Sequence, residues 1–165
     1  MQLRDRGVLD IDRPLVEYLP GLSLAASARE LRGITSRTLM THHSGLPGDW
    51  YDGYWSDEPG SFRNVLEHLK GCSLPFSPGT VFSYSNLGTS LLGVLIEAMG
   101  RLPSQEYVER KILAALEMND SAARTDGRPR LHVCKAYSRG ELVEDPTLRP
   151  ERSRRPSTTW PSSSR

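Results

Sequence analysis

The sequence predicts a helix-rich α/β chain carrying one short hairpin, and three observations lead there. Apolar residues recur at helical spacing in several segments that end at glycines. Strand-type patterning with a turn between is confined to residues 131–143. The composition, 37% hydrophobic and 25% charged with a mean hydropathy of -0.47, is that of an ordinary globular domain. A length of 165 residues allows one domain, or one and a fragment. No apolar run approaches the roughly 18 residues of a membrane span, and residues 91–99 are interrupted by Gly93 and Glu97. The 14 glycines follow no three-residue period, which excludes collagen, and two cysteines are too few for a disulfide-stapled miniprotein.

Residues 1–8 have helical spacing, broken by Gly7 and by Asp10-Ile11-Asp12-Arg13-Pro14. A short piece at 16–19 ends at Pro20-Gly21. Thr35 is a good N-cap for a helix through Leu39 and Met40 that stops at Gly45. Residues 47–60 read as loop. Ser61 then caps an amphipathic helix whose Phe62, Val65, Leu66 and Leu69 share a face, with Gly71 as its end. A turn at 75–79 leads into extended residues 80–82 and on to Tyr84-Ser85-Asn86. The helix predicted over 87–99 is apolar on most of its circumference, which puts it at the centre of the core. Gly100 closes it. Ser104 starts another helix through Val108, Ile112 and Leu116. Residues 131–137 and 141–143 flank a three-residue turn, Ser138-Arg139-Gly140.

Net charge is +1, so the whole chain makes no electrostatic case for nucleic acid. Five arginines against one glutamate give residues 149–165 a net +4, and all but Glu151 and Trp160 there are Arg, Pro, Ser or Thr. Such a segment is expected to be disordered, because it offers little apolar surface to offset ordering entropy. Residues 1–5 lack the apolar stretch of a secretory signal, and localisation is left undetermined. Cys72 and Cys134 are compatible with a pair or with two free thiols.

The chemistry-bearing feature is Tyr84-Ser85-Asn86, set between a tight turn and a buried helix, where side chains are held rigidly toward a cleft. A tyrosine moves a proton near neutrality only when nearby cations bring its pKa down from about 10. The same tripeptide also suits a packed tyrosine followed by an N-capping asparagine. His42-His43 is a poor metal pair, since adjacent side chains face different ways and neither H-x-x-H nor H-E-x-x-H occurs. Trp50, Tyr51, Tyr54 and Trp55 suit a cleft wall and, equally, the apolar cover of a long loop.

Several stretches in order resemble the serine β-lactamase and penicillin-binding-protein superfamily. Residues 2–12 with Val16-Glu17-Tyr18-Leu19-Pro20 resemble the segment after that family's nucleophile helix. Ile34-Thr35-Ser36-Arg37-Thr38-Leu39-Met40-Thr41-His42-His43-Ser44-Gly45-Leu46-Pro47 resembles its I-T-x-R-x-L-L-T-H-T-S-G-L-P stretch, and Pro78-Gly79-Thr80-Val81-Phe82-Ser83-Tyr84-Ser85-Asn86-Leu87-Gly88 its P-G-x-x-F-x-Y-S-N-x-G stretch. Residues 109–118 are similar to the helix end that follows. The resemblance runs from residue 1 to about 146 and points to the class C β-lactamase and esterase branch, where Tyr-x-Asn replaces S-D-N.

That resemblance implies a multi-domain α+β, β-lactamase/transpeptidase-like fold, of which this chain supplies mainly the helical half and a hairpin. It implies serine hydrolysis of a small-molecule acyl substrate, a β-lactam, ester or peptide-like amide, through an acyl-enzyme. It implies no metal and no organic cofactor. Tyr84 matches the tyrosine that shuttles the nucleophile's proton, and Asn86 the residue that binds substrate and steadies the catalytic lysine. Thr41, His42, Ser44 and Gly45 match a structural stretch.

The departures are equally specific. Lys70, Lys111 and Lys135 are the only lysines and none lies three residues after a serine, so S-x-x-K is absent. His43-Ser44-Gly45 spells H-x-G but precedes the tyrosine, and no G-x-S-x-G elbow occurs. The expectation is an incomplete hydrolase domain over 1–146, inactive as it stands, with a tail over 147–165. The alternative is a non-catalytic binding module derived from the same fold. With a sheet missing, the helix over 87–99 is expected to lose part of its cover.

Overall fold

Residues 1–49, 64–123, 135–138 and 140–143 are described by a computed structural model in which the chain forms two compact units, Met1–Ala123 and Arg124–Arg165. The aromatic loop residues Trp50, Tyr51, Tyr54 and Trp55, the Ser61 cap, Cys134, the 146/147 boundary and the arginine-rich tail lie outside the described residues.

In the first unit, short helices pack around one long helix. α1 (Gln2–Asp5) is shorter than its spacing predicts, because Gly7 turns the chain at φ +69°. α2 (Leu15–Tyr18) follows Pro14. α3 (Ala28–Gly33) was not anticipated: a capping box forms it, with Ser27 Oγ accepting from the Glu30 N–H and the Glu30 carboxylate accepting from the Ser27 N–H at 2.9 Å and its hydroxyl at 2.7 Å. Those bonds, the hydroxyl's first, hold the Glu30 carboxyl below the usual carboxylate range. α4 (Ser36–Met40) starts at Thr35 as expected, in a second capping box with Thr38. The guanidinium of Arg37 on α4 grips the Asp12 carboxylate with bonds of 2.6 and 2.8 Å. α5 (Asn64–Leu69) buries Val65 and Leu69 and ends, as expected, at Gly71.

α6 (Asn86–Gly100) is the central helix, and Leu87, Leu91, Val94 and Leu95 bury against Leu15, Ile34, Leu39, Leu46 and Leu69. Leu92, Ile96 and Met99 on the same helix are only half-covered. The exposed large apolar residues sit elsewhere, at Phe82, Tyr84 and Leu116 for example. α6 ends with Arg101 rather than Gly100 in the left-handed conformation, φ +55°. α7 (Ser104–Val108) follows Pro103, not Ser104, as its N-cap. It winds on through a π turn (Glu109–Leu113) and a 3-10 turn (Ala114–Leu116), which takes Ile112 and Leu116 off a regular helical face. Tyr107 Oη donates to Gln2 Oε1 at 3.3 Å and Gln2 Nε2 to the Lys111 carbonyl at 2.9 Å, tying α1 to this segment.

In the second unit, β1 (Ala136–Ser138) and β2 (Glu141–Val143) pair antiparallel with Tyr137 opposite Leu142. Ser138 belongs to the strand, opposite Glu141, and not to the turn as predicted, and Gly140 has φ +85°. This is the sheet found among the described residues, and the fold is helix-dominated α/β. No described helix is long and apolar enough to cross a membrane.

Candidate active site

Tyr84 sits on a strap, residues 79–85, laced to the loop 41–49 that leaves α4. The His43 carbonyl accepts from the Gly79 N–H at 2.7 Å and the His42 carbonyl from the Ser83 N–H at 2.8 Å. The Gly48 carbonyl takes the Asn86 and Leu87 N–H groups at 2.8 and 3.3 Å. The lacing needs Gly45, which has φ +74° and lies so close to the Phe76 carbonyl that a Cβ would stand 2.0 Å from its oxygen.

Ser85, not Asn86, caps α6. Its buried hydroxyl donates to the Pro47 carbonyl at 2.6 Å and accepts from the Gly88 N–H at 2.9 Å. Asn86 is therefore the first helical residue, and its side chain is half-buried. The N–H groups of Asn86, Leu87 and Gly88 are all engaged, so they are not available as an oxyanion-binding set.

The sequence-predicted pair comes together. Tyr84 is 59% exposed, and its hydroxyl donates to Asn86 Oδ1 at 2.9 Å. Asn86 Nδ2 donates to Asp49 Oδ1 at 2.7 Å. The carboxamide is thus oriented from both ends, its oxygen toward the tyrosine and its nitrogen toward a carboxylate. Sequence reasoning missed Asp49, for which Gly48-Asp49 after a proline offers no signal beyond loop. It also treated His42 as structural only, yet its imidazole lies 4.6 Å from the Tyr84 ring, tilted by 40°.

Among the described residues no lysine or arginine hydrogen-bonds to Tyr84, and Lys70 is paired with Glu67 on α5 at 2.7 Å. No group of three or more His, Cys, Asp or Glu side chains is placed to hold a metal among the described residues. Cys72 is a free thiol donating to the His68 carbonyl. A shallow cleft bordered by Ser27, Glu30, Gly33, Ser77, Pro78 and Thr80 does not include the tyrosine.

The beta-lactamase family model matches residues 1–163. This chain belongs to the beta-lactamase family. Penicillin-binding protein 4 of Amycolatopsis lactamdurans is 29% identical over 152 residues, which cover 91% of this chain and 39% of that protein. Beta-lactamase-like protein 2 of Dictyostelium discoideum is 30% identical over 125 residues, 73% of this chain and 23% of that one. Among solved structures, a β-lactamase/D-alanine carboxypeptidase from Yersinia pestis superposes with a TM-score of 0.66 at 27% identity, covering 76% of this chain and 37% of its own. A penicillin-binding protein from Bacillus halodurans gives 0.64 at 27% identity, covering 79% and 41%. The chain therefore spans about two fifths or less of the relatives it matches.

Proposed function

We propose that this chain carries the Tyr-x-Asn corner of a serine acyl-enzyme hydrolase of the class C β-lactamase and esterase branch. In that reaction a serine attacks the carbonyl of a β-lactam, ester or peptide-like amide, and water then releases the acyl group. Tyr84, as the phenolate, takes the proton of the attacking serine and delivers it to the leaving group; Asn86 presents its carboxamide to the substrate. The observation that carries this reading is the Tyr84–Asn86 pair at 2.9 Å, on an exposed strap laced to the loop before the central helix. The motifs on which this reading rests lie within residues 1–146, and the family match continues through residue 163.

Within these 165 residues the corner has no nucleophile to serve, since no Ser-x-x-Lys occurs. Arginine does not substitute for the lysine as a proton acceptor, because its pKa lies above 12. The chain as given should form no acyl adduct with a penicillin or an activated ester, read by intact-mass spectrometry. A longer chain bearing an upstream Ser-x-x-Lys and a downstream sheet should label stoichiometrically, and Tyr84→Phe in it should cut turnover by about 10²–10⁴. A serine adduct on the 165-residue chain, or full turnover by the Tyr84→Phe protein, overturns the proposal.

A further inference from the structure

His42 touches the tyrosine strap in three ways. Its carbonyl accepts the Ser83 N–H at 2.8 Å, its Nδ1 accepts the Ser85 N–H at 3.3 Å, and its ring lies 4.6 Å from Tyr84 and 5.8 Å, edge-on, from Phe82. To reach this position the residue adopts φ +57°, a left-handed conformation uncommon outside glycine. Strain of that kind persists where surrounding structure holds it. Here one holding contact, the His42 N–H to the Leu39 carbonyl at 3.2 Å, anchors the residue to α4, and the others lead to the segment that presents Tyr84.

The bond from Ser85 constrains the imidazole chemically. Accepting an N–H requires a lone pair on Nδ1, so this bond belongs to the neutral ring that carries its proton on Nε2. An imidazolium has no such lone pair. It would oppose one N–H with another, which breaks the Ser85 bond.

We propose that His42 is a positioning residue for Tyr84: its neutral Nε2–H tautomer fixes the Tyr84-Ser85 peptide and thereby the direction of the tyrosine hydroxyl, and protonation of His42 releases it. This deepens, and rests on, the reading of Tyr84 as the proton carrier. Among the described residues, the charged and titratable groups on the segments around His42 are four. Tyr84 faces its ring, and His43 beside it bonds through Nδ1 to the Thr41 carbonyl. Asp49 is joined to Tyr84 through Asn86, and Arg37 on α4 is turned to Asp12.

The test follows the Ser85 amide and the Tyr84 ring carbons by NMR in the labelled 165-residue chain between about pH 5 and 8. Both sets of signals should move with the midpoint at which the His42 ring itself titrates. In His42→Phe, which keeps an aromatic face and loses the acceptor, that movement should vanish. In His42→Asn, where a carboxamide tolerates the left-handed backbone, it should vanish as well, while His43→Phe should preserve it. Flat Ser85 and Tyr84 signals while wild-type His42 titrates would overturn the proposal, as would an unchanged response in His42→Phe. The measurement needs no turnover, so an inactive longer chain with intact coupling counts against Tyr84 as proton carrier and not against the His42 contact.

Discussion

Replacing Gly45 by alanine should destabilise the chain far more than the same change at Gly71. Both glycines have positive φ, +74° and +75°, so each substitution forces an L residue into the left-handed region at a cost of about 1–2 kcal/mol. At Gly71 nothing lies within 4 Å of the new methyl group, and the cost ends there. At Gly45 the methyl carbon would stand 2.0 Å from the Phe76 carbonyl oxygen, and real Cβ contacts essentially never fall below 3.0 Å. The two backbones must therefore separate by about an ångström, and overpacking of that kind adds about 1–3 kcal/mol. The total is about 2–5 kcal/mol, a large share of the 5–15 kcal/mol typical of a domain. With a urea slope of about 2 kcal/mol per molar, the midpoint should fall by about 1–2.5 M for Gly45→Ala and by under about 1 M for Gly71→Ala. Equal midpoints in the two variants, at unchanged slope, would refute the close approach and with it the lacing of the strap to the loop.

Ser85→Ala should cost about 2–4 kcal/mol by urea unfolding, because it removes the α6 cap and leaves the Pro47 carbonyl without its donor. Asp12→Asn should lower stability near neutral pH and matter progressively less in acid. The Arg37 hydrogen bonds, with its charge adding to them, hold the folded Asp12 carboxyl below its ordinary value. That contribution is present above the unfolded carboxylate pKa of about 3.9 and is lost as pH falls through the folded value. Urea midpoints of both proteins at pH 7 and in steps toward pH 2 check the sign: the gap should close downward.

Legibility followed contact range. The α6 register was readable because thirteen residues of apolar pattern leave little freedom, and Thr35 was readable because its cap acts on its own first turn. α3 escaped because it buries no residue, so no apolar stripe marks it; the spacing Ser27-Ala28-Arg29-Glu30 was the available signal. Asn86 was open to reading as a cap because Ser and Asn both cap well, and the choice is made by Gly48, whose carbonyl takes the Asn86 N–H. Tyr84 and Asn86 stand two residues apart and show as a motif. Asp49 is 37 residues from Asn86, and the His42 ring nitrogen bonds 43 residues away, so neither partnership leaves a local pattern.

The geometry of the Tyr-x-Asn corner is carried by groups that take no part in acyl chemistry. Backbone carbonyls of His42, His43, Pro47 and Gly48 hold the strap, and the Ser85 hydroxyl joins it to α6. Gly88 lets that helix approach Leu39, whose Cδ2 would lie 3.3 Å from an added Cβ. Removing the tyrosine hydroxyl deletes one exposed hydrogen bond and leaves all of these in place, so Tyr84→Phe should change stability by no more than about 1 kcal/mol. Removing the Ser85 hydroxyl should do the reverse, displacing the corner by losing a buried bond at each end. Fold and chemistry are therefore separable by two single-oxygen deletions one residue apart, and a Tyr84→Phe chain that unfolds as readily as Ser85→Ala would mean that the tyrosine is a packing residue.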